Sequence, residues 1–208
     1  MTTANPDTLA TKYDIAASRW ADKMRLLGYY DAYLGLLSSQ NFRAPSGTRV
    51  LDIGCGTAAF AEAWIAIHGP DQQVTLLDPS AEMLTHGARA LAKRGVVAQT
   101  RAQTLQDHAP DQSYHCLMAA HVLEHAADPV QMLRQMRALV APDARLWLSV
   151  SKPHWCNAII WLQWRHRAYR ADQVENMLDQ AGWQLETDYA FPSGPPSRTS
   201  RGYLAKAV

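Results

Sequence analysis

Apolar residues recur along this chain in two rhythms that take turns. Short apolar runs at 48–53, 73–78, 96–101, 114–119 and 144–150 read as strands, and two more follow at about 183–189 and 201–207. Between them, AAFAEAWIAIHG, SAEMLTHGARALAKRG, PVQMLRQMRALVAP and RADQVENMLDQAG carry apolar side chains at helical spacing, and glycine supplies the usual stop. Strands alternating with helices predict an α/β fold whose parallel sheet is covered on both faces. Ahead of the sheet, Leu9, Tyr13, Ala16, Ala17, Trp20, Met24, Leu27, Tyr30, Leu34 and Leu37 form a helical stripe within residues 8–40. One or two helices are expected there. They either lie over the strand ends, where open α/β sheets bind ligands, or merely cover the sheet. No internal repeat or low-complexity segment interrupts the pattern.

Composition narrows the function classes. A chain of 208 residues with 48% hydrophobic content can bury one substantial core. Its 20 basic and 19 acidic side chains leave a net charge of +1, which disfavours wholesale nucleic-acid binding. No apolar run approaches the length of a membrane span, and MTTANPDTLATKYD lacks the apolar core of a signal peptide, so a cytoplasmic protein is expected. Cys55, Cys116 and Cys156 are scattered and odd in number, the pattern of free thiols rather than of a metal site.

The stretch VLDIGCGTAAF, Val50 to Phe60, joins an apolar run to Gly-x-Gly and an Ala-rich helix start. Such a turn brings backbone N–H groups close to a ligand. From Gly54 to Ala59 it satisfies a dinucleotide fingerprint, and Asp78 follows at roughly the separation of a ribose-binding carboxylate. Asp52, however, sits two residues before the first glycine, poorly placed for a pyrophosphate and well placed for a cation. S-adenosylmethionine carries an amino group, a sulfonium and a ribose but no phosphate, and fits those charges.

With LDIGCGT, VTLLDPSAEML and HVLEHAADP, the chain resembles the class I S-adenosylmethionine-dependent methyltransferases over residues 46–208. The resemblance implies a Rossmann-like, seven-stranded, mostly parallel sheet with an antiparallel C-terminal hairpin and helices on both faces. It also implies a helical cap at 1–43 ahead of a cofactor-binding domain at 44–208. S-adenosylmethionine is the implied cofactor. Gly54, Cys55 and Gly56 would pass along its methionine portion, and Asp52 would attract its ammonium or simply cap the next helix. Asp78, followed by Pro79, would accept both ribose hydroxyls, since a carboxylate has two acceptor oxygens and no donor. Met83 would pack on the adenine or serve as core, while Tyr13 would belong to the cofactor cap and Trp20 to the acceptor pocket. The third strand departs from the family pattern. Arg101 fills a slot that is often acidic, leaving the adenine to backbone groups of Ala102 and the amide of Gln103. His115 and the turn APDAR also depart from it, away from the ligand motifs.

Methyl transfer from a sulfonium needs alignment first and a base only when the acceptor must lose a proton. His121 and His125 are the candidate bases; the resemblance brings His121 closer to the cofactor, and Glu124 reads as a local hydrogen-bonding residue. The segment SKPHWCNAIIWLQWRHRAYR, Ser151 to Arg170, is rich in tryptophan and basic residues. Trp155, Trp161, Trp164 and Tyr169 are expected to wall the acceptor, with Arg165 or Arg167 meeting an anionic part of it. A lid touching an anionic membrane, or a short helix whose tryptophans fill the core, are the alternatives. FPSGPPSRTSRGYL reads as a rigid hairpin loop. The expectation is a small-molecule methyltransferase acting on oxygen or nitrogen of an aromatic or lipid-like acceptor. The competing readings are a non-catalytic cofactor-binding partner subunit and a nicotinamide oxidoreductase.

Overall fold

A computed structural model describes residues 22–154 and 167–208. Seven strands form one sheet in the order β3-β2-β1-β4-β5-β7-β6. They are β1 (Arg49–Ile53), β2 (Gln73–Leu77), β3 (Gln99–Arg101), β4 (Tyr114–Ala120), β5 (Val140–Ser151), β6 (Trp183–Tyr189) and β7 (Ser200–Ala207). β1 to β5 run parallel, and β7 enters antiparallel between β5 and β6. Central strands buried on both faces should be largely apolar; Cys116 to Ala119 of β4 are, and Val50 to Ile53 of β1 are buried without a break with Asp52 as the one polar exception.

The helices are α1 (Tyr29–Ser38), α2 (Ala59–His68), α3 (Ala81–Ala92), α4 (Pro129–Ala138), α5 (Ala171–Gln180) and the short α6 (Gly194–Thr199). Leu133 and Met136 of α4 join Val174 and Leu178 of α5 in one hydrophobic layer. Leu36 and Leu37 of α1, Trp64 of α2 and Leu84 of α3 belong to the layer on the other face. The sheet order reverses between β1 and β4. In open α/β sheets the crevice beyond the strands' carboxyl ends at that reversal is where ligands bind.

Four local expectations are corrected. The stripe at 8–40 breaks at Gly28, whose φ of +81° separates the helical turn at 22–26 from α1. With the period interrupted, α1 buries Tyr29, Ala32, Tyr33, Leu36 and Leu37, while Tyr30 and Leu34 are only half-buried. The third strand begins at Gln99 rather than at 96, because the Val96 N–H is taken by the Leu91 carbonyl in the turn leaving α3. α4 stops at Ala138 and β5 starts at Val140, which pairs with Tyr114; the extra residues of APDAR bulge out around Asp143, at φ +62°. Residues 194–199 form a short helix instead of a hairpin loop, with proline in its first turn where a missing N–H costs nothing.

α1 lies flat on the sheet. A Cβ at Gly202 of β7 would meet Leu36 at 2.7 Å, and the Tyr33 ring stacks on Phe60 of α2 at 4.5 Å. Its N-terminal residue, Tyr29, reaches the carboxyl end of β4, where its ring meets His121 edge-on at 5.4 Å.

Candidate active site

The site grows from the ends of β1, β2 and β4. Beyond Ile53 the chain turns through Gly54, Cys55 and Gly56 into α2. Gly54 and Gly56 have φ of +61° and +50°, in the region glycine occupies without strain. The turn is tied to β2 by Gly54 and Cys55 N–H groups donating to the Leu77 carbonyl, at 2.7 and 3.2 Å. A side chain at Gly54 would strike Val122, 2.7 Å from the Cβ position. The turn and the exit of β4 therefore close on each other across the switch point.

Two carboxylates flank this turn. Asp52 is 1% exposed and accepts from the Ala61 N–H of α2 at 3.1 Å. Burial, offset in part by that hydrogen bond and reinforced by repulsion from Asp78, raises its pKa to about 8. Asp78 accepts from Gly56 N–H and Ser80 N–H, each at 2.9 Å, one on each oxygen. A carboxylate has two acceptor oxygens and no donor, the complement of a diol. Ser80 caps α3 by accepting from the Met83 N–H at 3.2 Å, and Met83 itself is buried at the helix start. Pro79 is exposed between them. These features fit S-adenosylmethionine: a carboxylate acceptor for hydroxyls, a glycine cradle, and a buried acid that a cationic ligand would help to ionise.

The remaining predicted residues are placed unevenly around this centre. Burial pushes the Cys55 thiol well above its ordinary range, so it lines the turn as a neutral group. Ala102 is exposed beyond β3, and the Gln103 amide is engaged by the Asp107 carbonyl at 3.3 Å and by His108 Nδ1 at 3.0 Å. Arg101 folds back on Thr100 and Gln99. Tyr169 is in the core rather than on an acceptor-facing wall, with its hydroxyl donating to the Leu123 carbonyl at 3.4 Å. Arg167 is exposed and reaches the Ala127 carbonyl. Tyr13, Trp20, Trp155, Trp161, Trp164 and Arg165 lie outside the described residues.

At the end of β4, His121 has a left-handed backbone, φ +57°, uncommon outside glycine although histidine tolerates it better than most side chains. Its N–H donates to the Ser149 carbonyl at 2.8 Å. Its Nδ1 lies 3.1 Å from Glu124 Oε1 and 3.1 Å from Ser151 Oγ, and Nε2 lies 3.5 Å from Ser149 Oγ. Glu124 is 2% exposed, and Ser151 N–H donates to its Oε1 at 2.6 Å. Burial alone would raise its pKa, but His121 and the Ser151 N–H hold it down at about 2. His125, in the same one-turn 3₁₀ segment (Leu123–His125), is lowered by burial. Sequence reasoning missed Tyr29, Val122, Ser149 and Ser151. The available signal was the spacing of His121 and Glu124, three apart, as in a helical side-chain pair.

Residues 51–146 match the family model of a methyltransferase domain. These residues form a methyltransferase domain, and the chain is similar to the class I S-adenosylmethionine-dependent methyltransferases, whose cofactor is S-adenosylmethionine. Among its relatives is the ubiquinone biosynthesis O-methyltransferase of Aeromonas salmonicida (strain A449). That protein is 33% identical over 162 residues, which are 70% of this chain and 63% of the relative. The ubiquinone/menaquinone biosynthesis C-methyltransferase of Hahella chejuensis (strain KCTC 2396) is 30% identical over 154 residues, 71% of this chain and 58% of that one. The chain spans between 43% and 63% of the length of the curated relatives it matches. In fold it is similar to magnesium protoporphyrin IX methyltransferase from Synechocystis PCC 6803, with a TM-score of 0.72 at 15% identity over 98% of this chain and 100% of that one.

Proposed function

We propose that this chain transfers a methyl group from S-adenosylmethionine to a hydroxyl of a small aromatic acceptor of phenol or quinol type. The observation that carries the proposal is the pairing across one switch point of an acidic glycine turn, Asp52 to Asp78, with His121. The relatives' roles in ubiquinone and menaquinone biosynthesis support an aromatic acceptor.

When bound, the cofactor supplies an electrophilic methyl on a positively charged sulfur. Asp78 would hold the ribose, and the Gly54–Gly56 turn would hold the methionine portion, with Asp52 available to its ammonium. That fixed pose, closed by Val122 and Tyr29, aligns the reacting atoms and keeps water away. Orientation of this kind accounts for roughly 7 kcal/mol or more of barrier in favourable cases. His121 takes the hydroxyl proton. The Trp-rich segment at 155–164 forms the acceptor wall in this reading, without Tyr169.

The test is a transfer assay with labelled S-adenosylmethionine over a panel of phenols, quinols and amines, with products identified by mass spectrometry. Label on the oxygen of a phenol or quinol is the expected result. Label on amines alone, or none with any acceptor while the cofactor binds, would overturn it; the latter favours a non-catalytic partner subunit.

A further inference from the structure

We infer that Glu124 is a positioning residue for the transfer, holding the His121 ring with its proton on Nδ1 and its Nε2 lone pair presented at the switch point. The inference rests on the reading of His121 as the base and deepens it.

The geometry has three parts. Glu124 Oε1 meets His121 Nδ1 at 3.1 Å. An ionised carboxylate only accepts, so that bond places the ring proton on Nδ1 and leaves Nε2 bare. The same Oε1 takes the Ser151 N–H at 2.6 Å, which locks the carboxylate to the end of β5, while Oε2 is buried and has no hydrogen-bond partner among the described residues. A glutamate kept only to stitch a turn to a strand would be expected to satisfy both oxygens, because a buried unpaired acceptor is costly. Here the charge is concentrated on the histidine and one strand end. Finally, the ring is brought to this carboxylate by a left-handed backbone at His121, pinned by its N–H to the Ser149 carbonyl at 2.8 Å. Strained backbone of this sort persists where its surroundings over-determine it, often at functional sites. Tyr29 fixes the ring from the α1 side at 5.4 Å. Among the described residues, Nε2 meets the Ser149 hydroxyl at 3.5 Å, long enough to give way to an acceptor hydroxyl.

The proton step balances without a further reagent. As the acceptor oxygen bonds the methyl carbon, the carbon–sulfur pair stays on sulfur and the hydroxyl proton passes to His121 Nε2. The O–H pair remains with the oxygen. The imidazolium so formed faces the Glu124 carboxylate through Nδ1–H and returns its new proton to solvent after the product leaves.

Nitrogen-15 NMR of histidine-labelled protein tests the tautomer without any activity, with His121→Gln identifying the signal. At a pH where the ring is neutral, Nδ1 should be protonated and Nε2 not. An Nε2–H tautomer overturns the inference, and this measurement decides even if Glu124→Gln fails to fold. Where Glu124→Gln folds, its kcat should fall about tenfold or more, part of the roughly 10²–10⁴-fold that a general base contributes, with acceptor KM and S-adenosylhomocysteine affinity within about twofold. In the His121→Ala background the same substitution should have no further effect. An equal loss in both backgrounds means a structural role and overturns the inference. If S-adenosylhomocysteine fails to bind the parent, the methyl-transfer reading itself fails. If binding and transfer are intact and the tautomer is Nε2–H, only the role of Glu124 falls.

Discussion

Asp52 is the residue whose chemistry is most exposed to test, because it is buried, acidic and without charge compensation from its one hydrogen bond to Ala61. Its pKa is raised from 3.8 to about 8 on folding. Between those values the folded chain binds a proton that the unfolded chain has released. Stability of the cofactor-free protein should therefore decline as pH rises across that window and level off above it. An ammonium brought against Asp52 favours the ionised form, so S-adenosylmethionine binding at pH 7 should release protons. Calorimetry in buffers of different ionisation enthalpy should show this, and Asp52→Asn should remove both effects; buffer-independent heats in the parent would contradict the placement of the ammonium. At this scale the meeting of Asp52, Gly54, Gly56 and Asp78 at one turn was legible in the sequence, because they lie within two short motifs. The anchoring of His121 was not. It depends on Glu124 meeting Ser151, which is 27 residues further along the chain, and no local pattern announces that meeting.

Among the elements, α1 shows how far periodicity reaches. The helix was legible as apolar spacing, but its buried face was not, since Gly28 resets the phase between the turn at 22–26 and Tyr29. Its docking on β7 depends on Gly202 having no side chain, with Leu36 in the vacated space. Gly202→Ala should overpack this contact and cost about 1–3 kcal/mol. For a protein of this size that corresponds to roughly 2–4 °C of Tm per kcal/mol. A variant as stable as the parent in thermal unfolding would mean that α1 does not sit on the sheet as described. The late strands show a similar limit. Helix spacing was correct for α4, yet the passage into β5 at Val140 is set by pairing with Tyr114 and a bulge at Asp143, both products of the sheet rather than of local sequence.

For the whole molecule, strand order converts these local features into a site. The sequence pattern alone established alternating strands and helices, and the motifs implied the family's topology. It is the reversal between β1 and β4 that sets the Gly54 turn against Val122 at the exit of β4, next in the chain to His121. A ligand that binds the folded state stabilises it by mass action, about 2.7 kcal/mol at a hundredfold excess over its Kd. S-adenosylhomocysteine should raise Tm accordingly, and NAD should not; a shift with NAD and none with S-adenosylhomocysteine would revive the oxidoreductase reading.

The most direct measurement is a calorimetric titration of S-adenosylhomocysteine into the parent and Asp78→Ala proteins under the same conditions. Saturable binding to the parent that is lost or weakened by at least about tenfold in the variant, equivalent to 1.4 kcal/mol, is the predicted result. Equal affinity in both proteins would show that Asp78 does not hold the ribose and would contradict the site assembled from the ends of β1, β2 and β4.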